Sequence, residues 1–253
     1  MTPAYMKIIG EYDTWLVILS YAVSVLGSFT ALELAGLVLE EKRSTKRLVW
    51  IIFAAIALGG GGVWSMHFIA ILAWKLPIVV SYDVPITVAS LIAAIIVCSI
   101  GLYIVTGADL SVKRLGIAGV FVGLGVVSMH YTGMEAMRMA AVLEYDPLIF
   151  ALSVVVAIVV ATIGLLLMVT MRKGIQRLVS AFVIAFAVCS MHYTGMFGTS
   201  CRPTFAPMQQ ESAVTMSADV MAFSIAAATI AVLFVALIVA IMGKRGAMNA
   251  APA

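Results

Sequence analysis

Long apolar stretches alternate with short polar clusters along the chain, and that alternation sets the architecture. Seven stretches reach the roughly 20 residues a helix needs to cross a ~30 Å hydrocarbon layer. They fall at about 15–39, 48–74, 85–106, 115–138, 147–171, 176–197 and 219–242. An open sheet edge cannot satisfy its backbone in lipid, so each stretch is predicted to be a helix. Of the 253 residues, 64% are apolar and 11% charged, whereas soluble domains carry roughly 25% charged residues. The mean hydropathy of +1.15 agrees. The predicted class is all-α: a polytopic membrane protein of seven transmembrane helices in one domain, spanning residues 1–253. The first stretch runs into the repeated architecture without a small-residue cleavage site, so it reads as a span and not as a signal peptide.

Charge orients the spans. The connections after spans one, three and five, together with the tail, hold Lys42, Arg43, Lys46, Arg47, Lys113, Arg114, Arg172, Lys173, Arg177, Lys244 and Arg245, eleven of the fifteen basic residues. The opposite side keeps Lys7, Lys75, Arg138 and Arg202, with most of the acids. The positive-inside rule then places the N-terminus outside and the C-terminus in the cytoplasm. The net charge of +3 serves topology and points to no nucleic acid. Cys98, Cys189 and Cys201 lack C-x-x-C spacing, so neither a disulfide framework nor a zinc knuckle is implied.

One heptapeptide, Ser-Met-His-Tyr-Thr-Gly-Met, stands at Ser128–Met134 and again at Ser190–Met196. A weaker copy, Ser65-Met66-His67-Phe68-Ile69-Ala70-Ile71, precedes both. His67, His130 and His192 are all the histidines of the chain, spaced by 63 and 62 residues. Such a period marks an internal repeat. Its unit is a two-helix hairpin, repeated three times in parallel, with the motif on spans two, four and six. Each histidine lies beyond the middle of its span, toward the outer side, so all three share one depth. Polar side chains there are costly and face the bundle interior. The three are predicted to converge on one site or on two neighbouring ones.

Helical phase brings sulfur into the same layer. Met134 and Met196 follow their histidines by four residues and share a helix face with them. Met66, Met129 and Met191 precede theirs by one residue and flank the cavity. Cys189, three residues before His192, can also point inward, and Tyr131 and Tyr193 offer hydroxyls where the first copy has Phe68. Imidazole suits copper, zinc, iron and nickel, and thioether selects Cu(I). The motif brings no carboxylate, against calcium, magnesium or manganese. Zinc usually wants several cysteines, or a carboxylate beside its histidines. The expected cofactor is copper, one or two ions. The competing reading is packing: methionine fills gaps in apolar helices, and a lone histidine in a span is often a hydrogen-bonded packing element. Three costly histidines at one period weigh against it.

These residues resemble the MHYT domain, a bacterial integral-membrane sensory module named for Met-His-Tyr-Thr. Met129-His130-Tyr131-Thr132 and Met191-His192-Tyr193-Thr194 agree in full, and Trp64-Ser65-Met66-His67-Phe68-Ile69 is similar to the family's first copy. The segment from Trp15 to Ala35 resembles its first span. The resemblance covers about Tyr12 to Met242. It implies a seven-span sensor with its motifs near the outer face of the cell inner membrane. It also implies copper held by Met, His and Tyr, and a diatomic ligand, O2, CO or NO. Many members continue into a cytoplasmic output domain that makes or degrades cyclic di-GMP, or into a histidine kinase. Here the sequence stops about ten residues after the last span, so either the protein works alone, with a cytoplasmic signalling protein as the expected partner, or the sequence is a piece of a longer chain. Ala70-Ile71 departs from the Gly-Met of the other copies.

Other features follow from position. Gly59–Gly62 and the Gly119-x-x-x-Gly123 pair read as close helix contacts. Glu33, the one acid well inside a span, is expected to snorkel toward Lys46 or Arg47. Asp13 and Asp83 read as N-caps, with Asp13 also a candidate neighbour of the metal cavity. Trp15 and Trp74 read as interfacial belt residues. Thr199–Ser217, containing Cys201, Pro203, Pro207 and Met208, reads as a long irregular connection. No nucleotide loop, Ser-His-Asp set or acid pair appears, so an enzyme is not expected. The function expected is sensing of a diatomic gas, or of redox or copper state. Transport of copper, protons or electrons and haem binding are the alternatives.

Overall fold

A computed structural model describes residues 7–107, 109–204 and 214–249. Seven helices are long and apolar enough to cross a membrane. The first span is α1 (Thr14–Glu40). The second is composite: α2 (Ser44–Ala55), a π-helical segment (Ile56–Trp64) and α3 (Ser65–Ala73). Then come α4 (Val84–Thr106), α5 (Val112–Glu135), α6 (Pro147–Thr170), α7 (Gly174–Phe197) and α8 (Ala218–Asn249). Each predicted span matches one helical unit within four residues, except that α8 continues seven residues past the predicted end at 242. The side chains of Lys244 and Arg245 lie outside the described residues.

The first six spans close into a ring. Each packs on its sequence neighbours, and α7 returns onto α1, while α8 lies against α1, the π segment and α3. Lipid gives helices no hydrophobic reason to associate, so close approach through small residues does the holding. The three descending helices use one template for this. Asp13, Asp83 and Asp146 each cap α1, α4 or α6 by accepting backbone N–H groups. Seven residues past each cap stands a buried serine, Ser20, Ser90 or Ser153, and four further on a second small residue, Ser24, Ala94 or Ala157. Each serine hydroxyl donates to the carbonyl three residues back (Val17, Thr87, Phe150), so it is buried without an unmet donor. The sequence reading found the Asp13 and Asp83 caps but missed Asp146 and this serine period, which the stronger motif overshadowed.

Seven short strands lie at the end of the bundle where the motif helices finish. β1 (Glu11–Tyr12) pairs with β2 (Trp74–Lys75). β3 (Val80–Asp83) pairs with both β4 (Met137–Met139) and β7 (Thr215–Ser217). β5 (Ala141–Tyr145) pairs with β6 (Thr199–Pro203). All these pairings are antiparallel. The predicted irregular connection Thr199–Ser217 therefore contains two strands. The strands satisfy backbone groups that would otherwise face the membrane boundary. Pro207 and Met208 lie outside the described residues.

Glu33 departs from expectation. It does not snorkel to Lys46 or Arg47 but pairs with Arg177 of α7 at 3.3 Å, with both side chains at most 10% exposed. Gly36 makes room, because a Cβ there would collide with the Arg177 guanidinium. Arg47 instead donates to Thr106.

Candidate metal centre

The motif helices α3, α5 and α7 end six, five and five residues past their histidines. At 1.5 Å per residue the imidazoles lie about 8–9 Å below the strand cap. All three are at most 1% exposed. Their Nδ1 atoms face one another: His67 to His192 3.0 Å, His67 to His130 3.1 Å, and His130 to His192 3.2 Å. The rings meet edge to face, with centroids 4.8–5.1 Å apart. The convergence predicted from the 63- and 62-residue spacing is thus a single triangle.

Hydrogen bonding alone cannot satisfy such a triangle. In a neutral imidazole each nitrogen is a donor or an acceptor, never both. Whatever the tautomers, at least one of the three edges sets donor against donor or acceptor against acceptor. A cation at the centre resolves the conflict by taking all three lone pairs. The centre of a triangle with 3.0–3.2 Å sides lies about 1.8 Å from each corner, close to the ~2.0–2.1 Å of an imidazole–metal bond. The three residues fit a metal ion. They leave no room for a porphyrin between any two of them, since two axial bonds of that length separate their nitrogens by about 4 Å.

With Nδ1 aimed inward, the ring proton of the neutral form belongs on Nε2. Each Nε2 is buried and makes no hydrogen bond among the described residues. Two of them lie against motif glycines. A Cβ at Gly133 would collide with His67 Nε2, and a Cβ at Gly195 would stand 2.7 Å from His130 Nε2. Each motif glycine therefore seats the imidazole of the preceding copy. This is the physical reason for Gly in Met-His-Tyr-Thr-Gly-Met. By the same register Ala70 is the counterpart for His192.

The remaining candidates lie on the same motif segments. Met66, Met129, Met134, Met191 and Met196 are all buried. Met66 packs with Ala70 and Cys189, Met191 with Val127 and Ala157, and Met129 in the main core that includes Trp64. Met66 and Met191 thus cluster with the residue three before the histidine of another copy, Cys189 and Val127. Tyr131 and Tyr193 set their rings edge-on to His130 and His192, with centroids 4.6 and 4.9 Å apart. The Tyr131 hydroxyl meets Ser153 Oγ at 3.0 Å. In the first copy Phe68 has no hydroxyl, and Trp64 Nε1 donates to Ser90 Oγ at 3.0 Å instead. Asp13 is held as a cap by Trp15 and Leu16 N–H groups.

The cap is braced by charge. Arg138 donates to Asp83 at 2.8 Å and Arg202 pairs with Glu144 at 2.9 Å. Burial pushes the Asp83 carboxyl up, but the Ile86 N–H and the Arg138 guanidinium outweigh it and hold the group below its ordinary value. Near Tyr193 and Met196 a cleft of about 920 Å3 opens between β5, β6 and the chain before β1, lined also by Tyr12 and Tyr145. Burial, and then Tyr193, push the Tyr12 phenol up to about 12.

The family model described as a bacterial signalling protein N-terminal repeat, MHYT, matches residues 60–118 and 123–181. The chain is 39% identical over 194 residues to the bifunctional diguanylate cyclase/cyclic di-GMP phosphodiesterase MucR of Pseudomonas aeruginosa, covering 75% of this chain and 28% of MucR. It is 35% identical over 191 residues to the cyclic di-GMP phosphodiesterase NbdA of the same organism, covering 73% of this chain and 24% of NbdA. The signaling protein YkoW of Bacillus subtilis is 29% identical over 209 residues, covering 80% of this chain and 26% of YkoW. The chain thus spans about a quarter of the length of these relatives. No solved structure matches. With its repeated histidine motif, seven apolar helices and these relatives, the chain belongs to the MHYT family of multi-pass membrane signalling proteins.

Proposed function

We propose that the protein is a membrane sensor whose three imidazoles hold a copper ion, and that a diatomic gas or the redox state of that ion is the signal. The observation that carries this is the Nδ1 triangle with 3.0–3.2 Å sides. His67, His130 and His192 are neutral ligands, and no carboxylate joins them among the described residues. The ion's whole charge is then buried in an apolar bundle. The Born cost of burial grows with the square of that charge, which favours Cu(I) over any divalent ion. Met66, Met129, Met134, Met191 and Met196 are buried on the same motif segments, and their thioethers favour a soft ion. When bound, copper supplies a one-electron couple and an open coordination position.

The chain's own residues hold the geometry. Gly133 and Gly195 seat two of the rings, Tyr131 and Tyr193 wall them, and the strand cap separates them from water. Basic residues Lys42, Arg43, Lys46, Arg47, Lys113, Arg114, Arg172 and Lys173 cluster at the strand-free end. On the positive-inside rule that end faces the cytoplasm, and the triangle lies in the outer half of the inner membrane. There a cytoplasmic signalling protein would read the helix positions, and the sensor itself would catalyse nothing. MucR and NbdA carry cyclic di-GMP activities by name, which supports an output of that kind.

Elemental analysis of detergent-purified protein tests the reading. Copper near one ion per chain, lost in a His67→Ala/His130→Ala/His192→Ala variant that still folds, is the expected result. Equal copper in that variant, or none in the parent, refutes it.

A further inference from the structure

Beneath the histidine triangle the bundle is not filled. A cavity of about 50 Å3 lies among α4, α5, α6, α7 and the π segment, with an almost wholly apolar lining. Its position follows from the repeat. Val63, Val126 and Val188 line it, and each precedes a histidine by four residues. That is one turn, about 6 Å, on the face that carries the imidazole. Met191, next to His192, completes the upper wall. The cavity therefore lies about one helical turn from the triangle, on the side away from the strand cap.

The space is left by choice of residue and not by any limit on packing. On α6, Ala161 and Gly164 form one wall. Gly119 and Gly123 are forced, because a Cβ on either would collide with Thr162 or with the Ile158 backbone. Gly164 is not: a Cβ there would meet only Ile184, at 3.9 Å, an ordinary contact. A bulkier side chain would fit and would fill the void. The volume is several times the ~10–15 Å3 that holds a water, but a water needs two to four polar partners. Apolar cavities of this kind stay dry and take up apolar guests such as xenon.

From this we infer that the cavity is a binding site for one small apolar molecule of diatomic or noble-gas size, held one helical turn below the histidine triangle. Such a molecule dissolves in the hydrocarbon layer and reaches the cavity without crossing the strand cap. The inference rests on the sensor reading for its purpose but not for its chemistry, because an apolar guest needs no metal to bind.

Xenon is the probe. The full chain in nanodiscs, equilibrated with xenon, is examined by 129Xe exchange NMR. The parent protein gives a bound-xenon signal. Ala161→Leu abolishes it, and the triple histidine-to-alanine variant keeps it. Absence of bound xenon in the parent, or undiminished binding in Ala161→Leu, overturns the inference. If Ala161→Leu does not fold, Gly164→Ala carries the test: a weaker signal supports the site and an unchanged one removes it. Xenon bound in a protein that holds no copper would sink the sensor reading while leaving this site standing.

Discussion

Replacing Gly195 by alanine tests whether the motif glycine exists to seat an imidazole. A Cβ at position 195 would stand 2.7 Å from His130 Nε2, 3.3 Å from its Cδ2 and 3.3 Å from the Tyr131 hydroxyl. Ordinary contact begins near 3.4 Å, so the ring must retreat by about 0.7 Å. It cannot slide toward the centre, because its Nδ1 already stands 3.1 and 3.2 Å from the other two. It must turn, which lifts Nδ1 out of the triangle. Overpacking of this size costs about 1–3 kcal/mol. Without an ion only packing holds Nδ1 in the triangle, so the cost weighs most on the metal-bound state. At tenfold per 1.4 kcal/mol, copper affinity drops by about 5- to 140-fold. Competition with a Cu(I) chelator of known affinity measures it. Gly174→Ala, at a position with nothing within 4 Å, serves as the control. A folded Gly195→Ala variant that holds copper as tightly as Gly174→Ala refutes the reasoning.

Three further outcomes follow from the same contacts. The Asp83 carboxyl titrates below its ordinary value in the folded protein, so its stabilisation is present at neutral pH and fades as pH falls to and below the unfolded-state value of 3.8. Asp83→Asn should remove part of that acid dependence and lower the thermal midpoint more at pH 7 than at pH 3, as read by melting in detergent. Arg177→Met removes the guanidinium 3.3 Å from the buried Glu33 carboxylate and should lower the thermal midpoint. The Glu33→Gln/Arg177→Met double variant should regain most of the lost thermal midpoint, and a double variant no better than the single speaks against the pair. Thr229→Val removes the 2.6 Å bond to Ser65, worth about 0.6–1.7 kcal/mol in a membrane bundle. It should lower the thermal midpoint by a few degrees while copper content stays unchanged.

What could be read from the chain beforehand is what has a period. The seven spans follow from length and hydropathy, and the histidine triangle from three motifs at one depth on parallel helices. The donor geometry was not legible. That Nδ1 and not Nε2 faces inward depends on ring rotamers set by Gly133 and Gly195, which the sequence shows only as small residues after the motif. The strand cap escaped notice because β1, β2, β4 and β7 are two or three residues long, too short for alternation to register. The Glu33–Arg177 pair joins residues 144 positions apart in sequence, and no local pattern links them. Arg177 counted as a loop charge because it stands only three residues into α7.

The repeat breaks down in one place, and the break has a structural partner. The first copy alone carries Phe for Tyr, Ala70 for Gly and Ile71 for Met, and alone is preceded by a π-helical segment. Within that segment Gly62 lies against Gly27 of α1, backbone on backbone, and Ser65 donates back to the Gly60 carbonyl at 2.9 Å. This is also where the helix outside the ring docks. Thr229 of α8 donates to Ser65, and Leu233 of α8 covers Gly61. A symmetric triangle gives no copy a special role, so an output needs one copy to differ. Here the copy that differs is the one α8 touches, two residues from His67 through Ser65. π-Helical turns are uncommon and concentrate at functional sites. The 2.6 Å hydrogen bond from Thr229 to Ser65, two residues before His67, ties this copy of the motif to α8.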